Sequence, residues 1–117
     1  MRTRILEIYN KYGDYIVELI PLRVEEEYLK IVIRLPDDST LRITEEWEGP
    51  RLVRYSYFWL TPDHRLRIGW DNAPHHKHLT TFPHHKHVGW KGNCQNSEET
   101  CLEDVMSVIL EELKKKQ

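Results

Sequence analysis

Hydrophobic positions at the two ends of the chain follow helical spacing. Within residues 2–12, helical spacing relates Ile5, Ile8, Tyr9 and Tyr12, and it predicts a short N-terminal helix. Gly13 follows where the end of a helix favours a residue that adopts positive φ. A stripe near the C-terminus predicts an amphipathic helix that ends in lysines 114–116, and it consists of Leu102, Val105, Met106, Ile109 and Leu113. Thr100 and Glu103 have the spacing of a capping box at its start.

Between the helices the spacing of hydrophobic positions changes to two, which is typical of half-buried strands. The clearest alternating runs are Leu29, Ile31, Ile33 and Leu35, and then Leu41, Ile43 and Trp47. Turn-forming residues separate the runs at 36–39, 48–50 and 61–64, so consecutive strands are expected to form hairpins. We predict an α+β fold, an antiparallel meander of about five strands flanked by the two helices, as one domain over residues 1–117.

The turn at 61–64 determines which side chains share a face of the sheet. With four residues in that turn, Trp59 faces Leu66, Tyr57 faces Ile68 and Tyr55 faces Trp70. The opposite face then carries Arg54, Ser56, Arg67 and Asp71. A turn of three or five residues would reverse the assignment.

Residues 72–96 show neither spacing, and six of the seven histidines lie there. Long segments without regular structure in compact domains are mostly binding or active-site loops, so we predict a His-rich functional loop. The segment contains a duplication, Pro-His-His-Lys-His, at 74–78 and again at 83–87. Histidine exchanges protons near neutral pH and also binds metals, so the duplication indicates one of these two chemistries.

Composition and charge limit the class of protein. With 117 residues the chain is long enough for one hydrophobic core. Its first residues lack the apolar region typical of a signal peptide, and no apolar run is long enough to cross a bilayer. We therefore expect a cytoplasmic protein without membrane contact, with Cys94 and Cys101 as free thiols. The net charge of −2 conceals a basic stretch over 51–91, which has a net charge of +5. Such a stretch favours a phosphate-bearing ligand, and the acidic remainder favours a basic partner.

Metal-independent RNA cleavage requires a proton acceptor, a proton donor and cations that stabilise the phosphate. The candidates for proton transfer are His75, His76, His84, His85 and His87. Asp71 fits two roles equally, to orient a histidine or to cap the following turn with Asn72. The candidates for phosphate binding are Arg54, Arg67, Lys77 and Lys86, and Tyr55 and Tyr57 are candidates for base stacking. An aromatic row at strand spacing is more often part of a core than a stacking surface. This hypothesis requires Arg54, Arg67 and Lys86 to converge with the histidines in one cleft.

Metal binding is the first alternative. The His-x-His spacings, with the thiols of Cys94 and Cys101, supply enough nitrogen and sulfur for a tetrahedral zinc or nickel shell. The two cysteines are seven residues apart, unlike the close pairs of structural zinc sites, so no residue is assigned as a ligand and no cofactor is required. The second alternative is a noncatalytic interaction domain.

Four features in this order resemble the TumE-type toxins of toxin–antitoxin modules. They are the strand Tyr55-Ser56-Tyr57, the segment Trp70-Asp71-Asn72-Ala73-Pro74-His75-His76, the segment Phe82-Pro83-His84-His85-Lys86-His87, and a Glu-rich terminal helix. The resemblance implies a toxin with a helix-turn-helix antitoxin as its partner, and ribonuclease activity is an extension of it. Gly69 departs from the bulkier residue expected there, which predicts a local bulge. Besides the antitoxin, we expect RNA as a binding partner, and we expect the chain to form a homodimer.

Overall fold

The structure, a computed structural model, describes residues 1–115 and confirms an α+β fold with a helix at each end of an antiparallel sheet. Lys116 of the predicted basic tail and Gln117 lie outside the described residues. The elements are helix α1 (Arg2–Tyr12), a 3₁₀ turn (Gly13–Tyr15), β1 (Glu18–Val24), β2 (Tyr28–Arg34), β3 (Thr40–Glu48), β4 (Arg51–Leu60), β5 (Leu66–Asp71), β6 (His85–Val88), β7 (Cys94–Asn96) and α2 (Leu102–Lys115). Strand order in the sheet follows chain order, and every neighbouring pair is antiparallel.

The hydrophobic core lies between one face of the sheet and the two helices. It combines the alternating residues of the strands with the apolar stripe of α2 and with Ile8 and Tyr12 of α1. Inside it, the carboxylate of Glu45 is completely buried and accepts hydrogen bonds from Arg4 Nε at 2.8 Å and from the Tyr57 hydroxyl at 2.6 Å. Burial, followed by the charge of Glu45, raises the pKa of Tyr57, so this hydroxyl remains a donor. These hydrogen bonds join Arg4 of α1 to the sheet.

The end of α1 and the start of α2 both differ from what the sequence predicted. Gly13 has φ −55° rather than a positive φ, because the chain continues directly into the 3₁₀ turn instead of reversing. At the start of α2, the backbone N–H of Thr100 donates to Asp104 at 3.0 Å, and Glu103 instead contacts Arg4 at 3.3 Å. The predicted capping pair of Thr100 and Glu103 is therefore wrong, because Asp104 takes the place of Glu103.

The pairing of β4 with β5 corrects the predicted register. Leu60 pairs with Leu66, so the connection has five residues, which alone would exchange the faces. Arg67 is then an extra residue in β5, because the next pair is Trp59 with Ile68, and this bulge restores the original facing. Tyr57 consequently pairs with Trp70, and the predicted partners Trp59–Leu66, Tyr57–Ile68 and Tyr55–Trp70 are wrong. The bulge lies at Arg67 rather than Gly69, which is paired regularly with Phe58.

The predicted loop at 72–96 contains two strands, β6 and β7, and the sheet has seven strands rather than about five. In β6 the histidines His85 and His87 are buried and alternate with Lys86 and Val88. This is the period of a strand, but histidine counts as polar in a hydropathy pattern and so conceals it. Among residues 1–115, no helix is both long and apolar enough to cross a membrane.

Candidate functional site

The face of the sheet opposite the helices carries polar and basic side chains, and we call it the open face. Strand register places one row of residues across it, Val32, Arg42, Phe58, Gly69 and His87. A parallel row contains Lys30, Thr44, Ser56, Asp71 and His85. Both rows therefore lead from exposed basic residues to the histidines of β6.

His85 and His87 point the same ring nitrogen towards Asp71. The Nδ1 atom of His85 lies 3.0 Å from the Pro83 carbonyl oxygen, and Nδ1 of His87 lies 2.6 Å from that of Lys91. Since a carbonyl oxygen only accepts hydrogen bonds, both Nδ1 atoms carry the proton. Their Nε2 atoms lie 2.9 Å and 3.7 Å from the carboxylate oxygens of Asp71.

Two further side chains complete this group, which we call the histidine cluster: His76, His85, His87 and Cys94. The ring of His76 lies 4.7 Å from that of His85 and 5.8 Å from that of His87, centroid to centroid. Cys94 pairs with His87 across β6 and β7. One ligand atom from each of the four residues lies within 4.8 Å of all the others.

The electrostatic environment of the cluster favours uncharged His76 and Cys94. Desolvation, followed by the neighbouring His85 and His87, lowers the pKa of His76 and so favours the neutral imidazole. Desolvation and the charge of Asp71 raise the pKa of the Cys94 thiol. Asp71 is itself held in place, because it accepts a hydrogen bond from the backbone N–H of Ala73 at 2.9 Å.

The remaining histidines of the duplication lie outside the cluster. His84 contacts a residue of the helix-covered face: its Nδ1 is 2.9 Å from the hydroxyl of Tyr55, and the two rings stack. Burial, then the neighbouring His85, lowers the pKa of His84. His75 and His78 are exposed on the segment between β5 and β6.

The candidate phosphate-binding residues are not brought together. Arg54 is exposed on the open face, and Lys77 is exposed beside the cluster. Arg67 instead lies over the Trp59 ring and pairs with Asp37 at 3.5 Å, because the bulge turns it away from the face on which it was expected. Lys86 lies on the helix-covered face and pairs with Glu99 at 3.1 Å. The expected convergence of these cations is therefore wrong.

The aromatic candidates also lie elsewhere than the RNA hypothesis requires. Tyr55 and Tyr57 are 2% and 0% exposed, so they belong to the core and present no face to a base. The open face instead carries Phe58, which sequence reasoning missed. It also missed Arg42, although its place between the buried Leu41 and Ile43 already indicated a solvent-facing position.

Comparison with known protein families gives a match that begins just after α1. Residues 14–117 match the family described as Toxin TumE. The chain belongs to the TumE toxin family. The resemblance carried by the His-His segments is thereby confirmed, and TumE membership implies an antitoxin partner. Searches of curated proteins and of solved structures gave no match.

Proposed function

We propose that this TumE toxin acts on RNA, which it binds along the open face and cleaves beside the histidine cluster. One observation carries the proposal: both rows of the open face lead from basic side chains to the histidines of β6. Lys30, Arg42 and Arg54 are exposed, and none of them makes an ion pair within residues 1–115. Unpaired cations on one surface attract the phosphate backbone.

The open face also supplies a surface for an unpaired base. Phe58 is half-buried beside Arg42. Its ring lies against Gly69, where the absence of a side chain leaves room for the ring. Bases of single-stranded RNA stack on such rings, and a neighbouring arginine binds the adjoining phosphate. This combination supports single-stranded RNA as the substrate.

Burial divides the histidines between two roles. His85 and His87 are 2% and 8% exposed, so they position the segment through Asp71 and do not touch RNA. The exposed imidazoles of His75 and His78 are assigned to proton transfer, and His84 is not, because it contacts Tyr55 on the helix-covered face. One imidazole accepts the proton of the 2′-hydroxyl as its oxygen attacks phosphorus, and the 5′-oxygen leaves as a second imidazole protonates it. Lys77 offsets the charge that develops on the phosphate.

The first test is cleavage of a labelled RNA pool by the purified protein, with and without EDTA. We expect cleavage to survive EDTA and to fall at least about 100-fold in the double variant His75→Ala/His78→Ala. The exposed His64 lies in the turn between β4 and β5, and His64→Ala is the matched control that retains activity. Absence of cleavage, or equal loss in the control, contradicts the assignment and favours the noncatalytic interaction domain.

The second test measures RNA affinity against salt. Arg42→Ala/Arg54→Ala removes two phosphate contacts and should lower the slope of log K against log salt by about 1.4 for single-stranded RNA. The double variant Arg51→Ala/Arg65→Ala removes the same charge from arginines that are already paired with Glu48 and Asp63. An equal effect of the two variants would show that RNA does not use the open face.

We further propose that the antitoxin is of the helix-turn-helix type and meets the toxin in the cytoplasm at an acidic cavity. This cavity of about 520 Å³ is lined by Glu25, Glu26, Glu27, Glu46 and Glu48 among other residues. Basic side chains, which are abundant on DNA-binding helices, complement it. The charge reversal Glu25→Lys/Glu27→Lys should weaken the toxin–antitoxin complex, measured by calorimetry, whereas Glu111→Lys on α2 should not.

We also propose a homodimer formed through the edge strand β1. Its side chains Ile20, Leu22 and Val24 are 45%, 56% and 38% exposed. Antiparallel pairing of two copies would place Glu18 of one opposite Arg23 of the other, so the strand is complementary to itself.

A metal-binding module remains the second candidate function, and the histidine cluster is the observation that favours it.

A further inference from the structure

Three separate segments of the chain contribute to the histidine cluster. His76 comes from the segment between β5 and β6, His85 and His87 from β6, and Cys94 from β7. Neither cation binding nor proton transfer to RNA requires these four side chains to meet. Their convergence therefore calls for a separate explanation.

The orientation of the two buried histidines is that of metal ligands. Each donates Nδ1–H to a backbone carbonyl, of Pro83 or of Lys91, which fixes the ring and leaves Nε2 directed inward. Histidines that bind metals almost always donate their other ring N–H to a carbonyl or a carboxylate in this way. Asp71 lies next to both Nε2 atoms and supplies a negative charge that attracts a cation.

The set of donors selects the metal. Three imidazole nitrogens and one thiolate sulfur form the tetrahedral shell that zinc prefers, whereas magnesium and calcium prefer oxygen ligands. Zinc bonds of about 2.0–2.3 Å place tetrahedral ligand atoms roughly 3.5 Å apart. The four atoms already lie within 4.8 Å of one another, so side-chain movements of about 1 Å would close the shell.

We propose that His76, His85, His87 and Cys94 bind one Zn²⁺ ion, which joins the segment between β5 and β6 to strands β6 and β7. On binding, the Cys94 thiol releases its proton to solvent and its thiolate forms the Zn–S bond. Because Nδ1 of His85 already donates to Pro83, its 2.9 Å contact from Nε2 to Asp71 uses a second proton. That proton also passes to solvent as Nε2 binds the ion, and Asp71 remains beside the ion. The ion stabilises the fold at this point and takes no part in the proposed proton transfer, so cleavage is expected to survive its removal.

The test uses the purified full chain, stripped with a chelator and then titrated with Zn²⁺ or Co²⁺ in the absence of RNA. We expect one ion per chain and, with Co²⁺, the absorption bands of a tetrahedral site with a sulfur ligand. Cys94→Ser should abolish the sulfur-to-cobalt charge-transfer band, and Cys101→Ser, which changes the other free thiol, should retain it. His76→Ala should weaken binding at least about 10-fold, and His75→Ala should leave it unchanged.

Labelling of Cys94 in the unchanged chain does not depend on any variant folding correctly. Zn²⁺ should protect Cys94 from alkylation, identified by peptide mass spectrometry, and leave the reaction of Cys101 unaffected. Retention of no ion, equal protection of both thiols, or an unaltered cobalt spectrum in Cys94→Ser would overturn the proposal. Because no assay includes RNA, such a result leaves the proposed action on RNA to its own tests.

Discussion

The substitution Gly69→Ala tests the geometry of the open face, because the methyl group that it adds would meet the ring of Phe58. A Cβ atom added at Gly69 would lie 2.5 Å from Cδ1 and 2.7 Å from Cε1 of the Phe58 ring, and 3.4 Å from a methyl carbon of Leu66. The first two distances are too short for carbon atoms, so Gly69→Ala must displace the ring. Phe58 is half-buried, and its ring can tilt into solvent, but it then loses its contact with the sheet.

Two opposing effects set the expected magnitude. Overpacking costs about 1–3 kcal/mol. Replacing glycine by alanine in an extended strand recovers about 0.4–1 kcal/mol, because the unfolded chain loses conformational freedom. The two ranges leave a net destabilisation of about 0–2.6 kcal/mol. Its middle value, about 1.3 kcal/mol, corresponds to a fall in Tm of roughly 5 °C for a domain of this size.

A double-mutant cycle measured by urea unfolding isolates the contact. In the Phe58→Ala background the ring is absent, so Gly69→Ala should be neutral or stabilising by up to about 1 kcal/mol. The coupling free energy between the two positions should therefore be at least about 1 kcal/mol. If Gly69→Ala costs the same in both backgrounds, the ring does not cover Gly69, and the proposed stacking surface loses its support.

Three further predictions concern the core, the metal and the edge strand. Glu45→Gln should cost about 3–5 kcal/mol in urea unfolding, because the buried carboxylate loses its charge beside Arg4, and a smaller loss would contradict a buried ion pair. Zn²⁺ at 100 times its Kd should stabilise the chain by about 2.7 kcal/mol, and a Tm unchanged by chelation would contradict zinc binding. Leu22→Glu should shift gel-filtration elution to the monomer, whereas Leu6→Glu, at an exposed leucine of α1, should not.

The main elements of the fold follow from simple periodicity. Residues 2–12, the strands from β2 to β5 and α2 all have one polar and one apolar side, and their types were predicted correctly. The register of β4 with β5 could not be predicted, because a five-residue turn and a bulge at Arg67 cancel in their effect on facing. Alternation alone does not distinguish that combination from a four-residue turn.

The sequence predicted which residues form the candidate site, but only part of how they are arranged. His76, His85, His87 and Asp71 were named from the sequence and do lie together. Their burial was not foreseen, because β6 places histidines at positions that hydrophobic residues usually occupy in a strand. The partners of Lys86 and Arg67, Glu99 and Asp37, are distant in sequence, and only the folded chain reveals that these cations are already paired.

Ultraviolet cross-linking of a labelled single-stranded RNA to the toxin, followed by peptide mapping, identifies the surface that RNA contacts. We predict cross-links at Phe58 and in the segment 72–84, and we expect them to be lost when Arg42 and Arg54 are both replaced by alanine. Cross-links confined to α1 or α2, or cross-links that are unaffected by the double replacement, would contradict binding of RNA along the open face.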